Sequence, residues 1–270
     1  MSDAREQAIA AASAALQKAW ATGQACAPVR DLLPPNDIAA AYAVQQDGVR
    51  QRLVAGRRLV GRKIGLTSRV VQRQLGVDQP DYGMLFDDMD VPLGSAIDCR
   101  RLHQPKVEAE VGFILGRDLD DMRLTTADVL AAVDYAVAAI EIVGSRIANW
   151  DIRLVDTIAD NASSGMYVLG HEPRRLTECD VVHASMRMTR GEEVVSTGAG
   201  TACMGSPLSA VLWLAKTAAQ LGQPLRRGDV VLSGALGAMV AVKPGDLFEA
   251  HIEGLGSVQA LFAPEESGRG

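Results

Sequence analysis

The chain has 270 residues, 48% of them hydrophobic and 22% charged, with a net charge of −6, which is the balance of a folded globular protein. The acidic excess argues against a nucleic-acid binder, which carries a basic stripe, and against a protein held to a membrane surface. Cys26, Cys99, Cys179 and Cys203 stand far apart with no C-x-x-C pair, as expected of free thiols in a reducing compartment. With neither a secretory leader nor an uninterrupted apolar span, the cytoplasm is the expected setting.

In chain order, residues 3–21 are Ala-rich and predict a helix ending near Gly23. Asn36 or Asp37 can cap a second helix, in which Ile38, Tyr42, Val49 and Leu53 keep helical spacing up to Gly56. Leu59–Leu66 predicts a strand, Val70–Leu75 a short helix, and Asp78–Gly83 a turn or loop. Lys106–Leu115 predicts a strand. Thr125-Thr-Ala-Asp128 resembles a capping box and opens a helix expected to run to about Ala136, followed by a strand over Ala138–Val143. Ser206–Leu221 predicts a helix. Asp229–Ser233, Met239–Val242, Leu247–Ile252 and Ser257–Phe262 are short apolar runs between Gly turns, which suggest a sandwich, roll or barrel. The division expected is a helical region over 1–58, a β-rich catalytic body over 59–263 and a disordered tail over 264–270.

The chemistry begins in the strand Lys106–Leu115. Residues i and i+2 of a strand share a face, so Glu108 and Glu110 project together and repel each other unless a cation lies between them. A solvated strand face would also carry such a pair. Glu141 is harder to explain that way, because it sits in Ala138-Ala-Ile-Glu-Ile-Val143, where a lone charge is out of place. No Cys/His cluster offers a soft zinc site; a carboxylate set favours Mg²⁺ or Mn²⁺. Lys63, in Gly61-Arg-Lys-Ile-Gly-Leu-Thr67, could be a base, hold a substrate carboxylate, or lie on an exposed edge strand. Asp160-Asn-Ala-Ser-Ser-Gly165 suits hydrogen bonding to a small anion but also reads as a plain turn. Gly198-Ala-Gly200 and Gly234-Ala-Leu-Gly237 read as turns whose N–H groups could face a site. No dinucleotide fingerprint and no serine-hydrolase arrangement is present.

These segments resemble a known family. Gly61-Arg-Lys-Ile-Gly-Leu-Thr, Leu75-Gly-Val-Asp-Gln-Pro-Asp-Tyr-Gly, Val107-Glu-Ala-Glu, Ile140-Glu-Ile-Val-Gly-Ser-Arg-Ile, Val155-Asp-Thr-Ile-Ala-Asp-Asn-Ala-Ser and Gly254-Leu-Gly-Ser-Val follow one another as in the 2-keto-4-pentenoate hydratases of the fumarylacetoacetate hydrolase superfamily. The resemblance runs from about residue 25 to residue 262. It implies an α+β fold, a mixed β-roll or sandwich with a helical N-terminal region, and Mg²⁺ or Mn²⁺ held by Glu108, Glu110 and Glu141. It implies hydration of 2-hydroxypenta-2,4-dienoate to 4-hydroxy-2-oxopentanoate in meta-cleavage breakdown of aromatic compounds. The cation would act as Lewis acid and template on the substrate's C1 carboxylate and C2 oxygen. Lys63 and Asp81 would move protons, with Leu66, Asn161 and Ser164 at the substrate.

The resemblance also implies a homo-oligomer, a pentamer or decamer, and possible association with a pathway decarboxylase or aldolase. The 4-oxalocrotonate decarboxylases look similar along the whole chain but tend to carry an apolar residue where this chain has Asp81, and an acid there fits water activation. A non-catalytic partner subunit is the third reading, against which the intact Glu set and Lys63 argue. The acylpyruvate hydrolases of the superfamily use a His–Glu pair that His103 does not obviously match.

Overall fold

The structure, a computed structural model, describes residues 2–68, 72 and 79–265. The helix expected at 70–75 lies outside the described residues apart from Gln72, and so does most of the expected tail. Two helices open the chain, α1 (Ser2–Thr22) and α2 (Ile38–Val54). Asp37 caps α2 by accepting from the Ala40 N–H, and Arg5 of α1 pairs with the same carboxylate at 2.7 Å. One aspartate thus starts the second helix and fastens the first to it.

The strands that follow are β1 (Leu59–Gly65), β2 (Asp81–Phe86), β3 (Ala96–Ile97) and β4 (Lys106–Leu115). Helix α3 (Thr126–Ala132), β5 (Val133–Val143), α4 (Leu154–Ala159) and β6 (Ser164–Leu169) come next. The remainder is β7 (Ser185–Arg190), β8 (Glu193–Ala199), α5 (Pro207–Gln220), β9 (Val230–Leu232), β10 (Val240–Ala241), β11 (Leu247–Ile252) and β12 (Gly256–Phe262). One sheet runs β2-β1-β9-β4-β5-β6 with β10 alongside β4, and a second runs β3-β12-β11-β7-β8. One apolar core joins the inner faces of both sheets to α5, and a smaller one joins α1 and α2 to Ile147 and α4. Among the described residues, no helix is long and apolar enough to cross a membrane.

Three expectations need correction. The helix opened by Thr125 stops at Ala132, because residues 133–136 are taken into β5, which pairs with β4 as far as Val133 opposite Leu115. Asp81, Tyr82 and Gly83 form the start of β2 rather than a turn, with Asp81 opposite Gly65 and Gly83 opposite Lys63. Gly198 and Ala199 end strand β8 rather than forming a turn. Strands β6, β7 and β8 were not among the predicted strands, although β7 alternates, with Met186 and Met188 buried between exposed Ser185 and Arg187.

The two outer strands of the larger sheet are linked through the loop that precedes β6. Asn161, three residues before β6, accepts from the Met84 N–H through Oδ1 at 2.7 Å and donates to the Met84 carbonyl through Nδ2 at 2.9 Å. The side-chain amide imitates a peptide group and satisfies the open edge of β2. The seam where β1 meets β9 is equally specific: Gly61 lies opposite Val230, and a Cβ there would overlap the Val230 carbonyl oxygen. Gly61→Ala is expected to lower stability by about 3 kcal/mol, the upper range for overpacking, seen as a reduced urea midpoint. A midpoint equal to wild type would show that β1 and β9 are not this tightly apposed.

Candidate active site

Strands β4 and β5 pair antiparallel with Glu108 directly opposite Glu141. Opposed residues share a face, and Glu110 joins them two residues along β4. One carboxylate oxygen from each of the three lies within 4.8 Å of the others. Glu110 and Glu141 are each 0% exposed and Glu108 is partly buried, so this is not a solvated strand face. Lys63 reaches the cluster from β1, which lies between β2 and β9 and is not an edge strand. Its Nζ is 3.0 Å from Glu141 Oε2. Asp81, from β2, is buried on the same face.

The electrostatics follow from four buried carboxyl groups facing one ammonium. Burial pushes Glu108 up to about 7, with Lys63 opposing and Glu141 adding to the rise. Burial and the neighbouring Glu141 and Glu108 raise Glu110 well above the usual carboxylate range. Glu141 is also raised, mainly by burial and against the pull of Lys63. For Lys63 burial works in the opposite direction, but the fields of Glu141, Glu108, Glu110 and Asp81 overcome it and hold the ammonium protonated. Burial raises Asp81 as well, with Lys63 and the Thr157 hydroxyl opposing.

The polar atoms of the cluster are under-satisfied. Glu110 Oε2 accepts from the Gly234 N–H at 2.8 Å, while Glu110 Oε1 and Glu141 Oε1 have no protein partner. Buried anionic oxygens left this way need a cation. An all-oxygen carboxylate set is the donor chemistry of a hard divalent ion, so Glu108, Glu110 and Glu141 fit one. Gly234, in the Gly234-Ala-Leu-Gly237 segment, thus turns its N–H toward the carboxylate cluster.

Among the other predicted positions, Ser164 is buried and donates its hydroxyl to the Asn161 carbonyl at 2.8 Å, over Gly83, where any Cβ would overlap it. Both polar ends of the Asn161 side chain engage Met84, so the carboxamide ties this loop to the edge of β2. Leu66 ends β1 in the left-handed region at φ 57°, an uncommon conformation for a branched residue, one step beyond the Asp81 partner Gly65. Asn161, Ala162 and Ser163 are likewise left-handed, at φ 54°, 51° and 54°, a concentration of strain typical of functional loops. Buried Arg146 braces this loop through Asp160 and through the Ser164 carbonyl at 3.1 Å. His103 lies elsewhere, its Nε2 2.9 Å from the Ala19 carbonyl, and takes no part.

Two residues here were missed from sequence. Thr157 donates through Oγ1 to Asp81 Oδ2 at 2.9 Å, leaving Asp81 Oδ1 without a partner. Gly65 leaves room for that free oxygen, since its Cβ would overlap Asp81 Oδ1. The signal for Thr157 was its place in Val155-Asp-Thr-Ile-Ala-Asp-Asn; nothing in the spacing linked it to a residue 76 positions earlier.

The raised carboxyls carry a pH consequence. The Glu108 carboxyl holds its proton up to about 7 in the folded chain, against a usual 4.5, so the folded state binds more protons across that window. Stability of the metal-free protein is therefore greatest below about 4.5 as far as this group is concerned, and falls as pH rises through about 7. A divalent ion competes with those protons. Saturating Mg²⁺ or Mn²⁺ is expected to raise the melting temperature more at pH 8 than at pH 6, because binding stabilises only the folded form. Equal or smaller shifts at pH 8, read by scanning calorimetry, would exclude these carboxylates as the ligands.

Comparison with known proteins agrees with this geometry. Residues 64–262 match the family model for the fumarylacetoacetate (FAA) hydrolase C-terminal region. The chain is 59% identical over 260 residues to the TodF product hydratase of Pseudomonas putida (strain F1), covering 96% of this chain and 97% of that protein. It is 57% identical over 251 residues to a 2-keto-4-pentenoate hydratase of Paraburkholderia xenovorans (strain LB400), covering 93% of each. The solved structure of 4-oxalocrotonate decarboxylase from Pseudomonas putida G7, complexed with magnesium and adipate, superposes with a TM-score of 0.91 at 36% identity, over 96% of this chain and 98% of that one. With its three-glutamate cluster set in the two-sheet body and matched along nearly its whole length, the chain belongs to the fumarylacetoacetate hydrolase family.

Proposed function

We propose that this protein is a metal-dependent hydro-lyase that adds water to 2-hydroxypenta-2,4-dienoate, or a C5-alkyl analogue, to give 4-hydroxy-2-oxopentanoate in the meta-cleavage breakdown of aromatic compounds. The observation that carries the reading is the buried Asp81 carboxyl, oriented by Thr157 through one oxygen and left free at the other, on the same sheet face as Lys63 and the three glutamates. Relatives bearing hydratase names at 57–59% identity support it over the decarboxylase reading, whose relative stands at 36%.

Glu108, Glu110 and Glu141 hold the ion, Mg²⁺ or Mn²⁺. When bound, it supplies Lewis-acid polarisation of the substrate's 2-oxygen and carboxylate. Asp81, kept protonated more readily by its burial, delivers a proton through Oδ1 to C5 of the dienol as the 2-hydroxyl proton leaves to solvent, then takes one from the water that adds at C4, while a solvent proton reaches C3 and restores the 2-oxo group. Such positioned acid–base transfer contributes about 10²–10⁴-fold in rate. Lys63 keeps its proton in the field of the carboxylates and offsets negative charge on the bound anion. Ser164 and the left-handed turn at Leu66 shape the wall against the substrate. The setting proposed is the cytoplasm, and the assembly a homo-oligomer, a pentamer or decamer, able to associate with the decarboxylase or aldolase of the same pathway.

The test is loss of dienoate ultraviolet absorbance, with the hydroxy-oxo acid identified as product. Activity that survives EDTA removes the metal from the reaction, and carbon dioxide released from 4-oxalocrotonate with no dienoate hydration makes the chain a decarboxylase. Asp81→Asn is expected to lower kcat by about 10²-fold or more while leaving Mn²⁺ affinity within about threefold, measured by titration calorimetry. A kcat near wild type would reduce Asp81 to a structural residue. Thr157→Val is expected to lower kcat less, by about tenfold, with KM little changed, because it removes the hydrogen bond that orients the Asp81 carboxyl.

A further inference from the structure

A cavity of about 410 Å³ opens between α1, α2 and the body; it touches the loop at Asn161, but none of its walls belongs to the carboxylate cluster. The volume is that of a small-molecule site. Its sides are apolar, from Leu16, Val44, Val49, Phe86 and Met89. Polar groups come from Ser13 and Gln17 of α1, from Arg146 with its partner Asp160, and from one face of α2, where Gln45, Gly48, Val49 and Arg52 are spaced three and four apart. Gln45 is 2% exposed. Its Nε2 is engaged by the carbonyls of Tyr82 at 2.8 Å and Ile158 at 3.2 Å, which leaves Oε1 buried with no donor. Two turns on, Arg52 pairs with Asp88 through Nη2, while its Nε is buried and unpartnered. Its guanidinium lies 4.5 Å from the centre of the Phe86 ring and 5.2 Å from that of Trp20, and the Arg146 guanidinium lies 5.6 Å from the Trp20 ring centre.

Between the two unmet groups the helix carries Gly48. Glycine inside a helix is unfavourable, and here a Cβ would meet nothing within 4 Å, so neither a turn nor close packing accounts for it. Gly48 leaves the cavity open where a side chain would fill it. We propose that this cavity is a second ligand site, for a small organic acid with a ring-sized apolar body, whose carboxylate meets Arg52 and whose distal hydroxyl donates to Gln45 Oε1. Seven helical residues separate these groups by about 10 Å, a span suited to a ring with its acid and hydroxyl at opposite ends. The occupant would rest against the residue that grips Tyr82 and Ile158, the chain neighbours of Asp81 and Thr157.

The probe is 4-hydroxybenzoate, titrated calorimetrically into EDTA-treated protein so that no active-site metal can hold it. One equivalent per chain is expected, with benzoate, which lacks the hydroxyl, at least about fivefold weaker. Gly48→Leu should fill the cavity and weaken binding by at least about tenfold, while dienoate turnover in the metal-loaded enzyme stays within about twofold. Arg52→Lys keeps the charge but loses the Nε donor, and should also weaken binding; it carries the test if Gly48→Leu folds poorly. Absence of binding up to about 10 mM, or unchanged affinity in the folded variants, overturns the proposal.

Discussion

The arrangement of the whole protein turns on a buried charge imbalance. Glu108, Glu110, Glu141 and Asp81 face Lys63 on one sheet, and a single ammonium cannot balance four carboxyl groups taken out of water. The imbalance is resolved by protons in the metal-free protein and by a divalent ion in the loaded one. The β-strand framework must hold like charges together against their repulsion, which is why the site lies on the central strands β1, β4 and β5 and not on loops.

That framework is stiff where it has to be. The β4–β5 ladder spans ten residues of β4 and sets Glu108 against Glu141. Gly61 and Gly83 let neighbouring backbone approach more closely than any side chain allows. Asn161 ends the sheet by giving β2 the partner its edge lacks, and the strained turn it begins sets Ser164 over Gly83. The tie across the sheet edge and the close packing over Gly83 are therefore made by the same few residues.

Asp81 is placed by a different route. Asp81 reaches the site from β2, but its orientation comes from Thr157 in the short helix α4, and α4 is packed by α1 and α2. Gln45 of α2 adds a direct tie, holding the carbonyls beside Asp81 and Thr157. The N-terminal helices thus support the side that orients Asp81, while the β-body carries the glutamates.

Much of this was legible in the chain before folding. The alternation in Lys106–Leu115 put Glu108 and Glu110 on one face, the apolar surroundings of Glu141 marked it as buried and in need of a partner, and the ordered motifs identified the family. Strand β11 was read to its exact ends because its alternation and flanking turns are local signals. Short-range pattern also misled: Asp78–Gly83 has turn composition, yet Asp81–Gly83 is strand because β1 lies beside it. The tertiary structure alone decided that Thr157 orients Asp81, that the Asn161 amide stands in for a strand, and that Lys63 keeps its proton. Each depends on groups far apart in sequence brought within hydrogen-bonding distance in a medium without water, where contact geometry and burial, not residue type, set the chemistry.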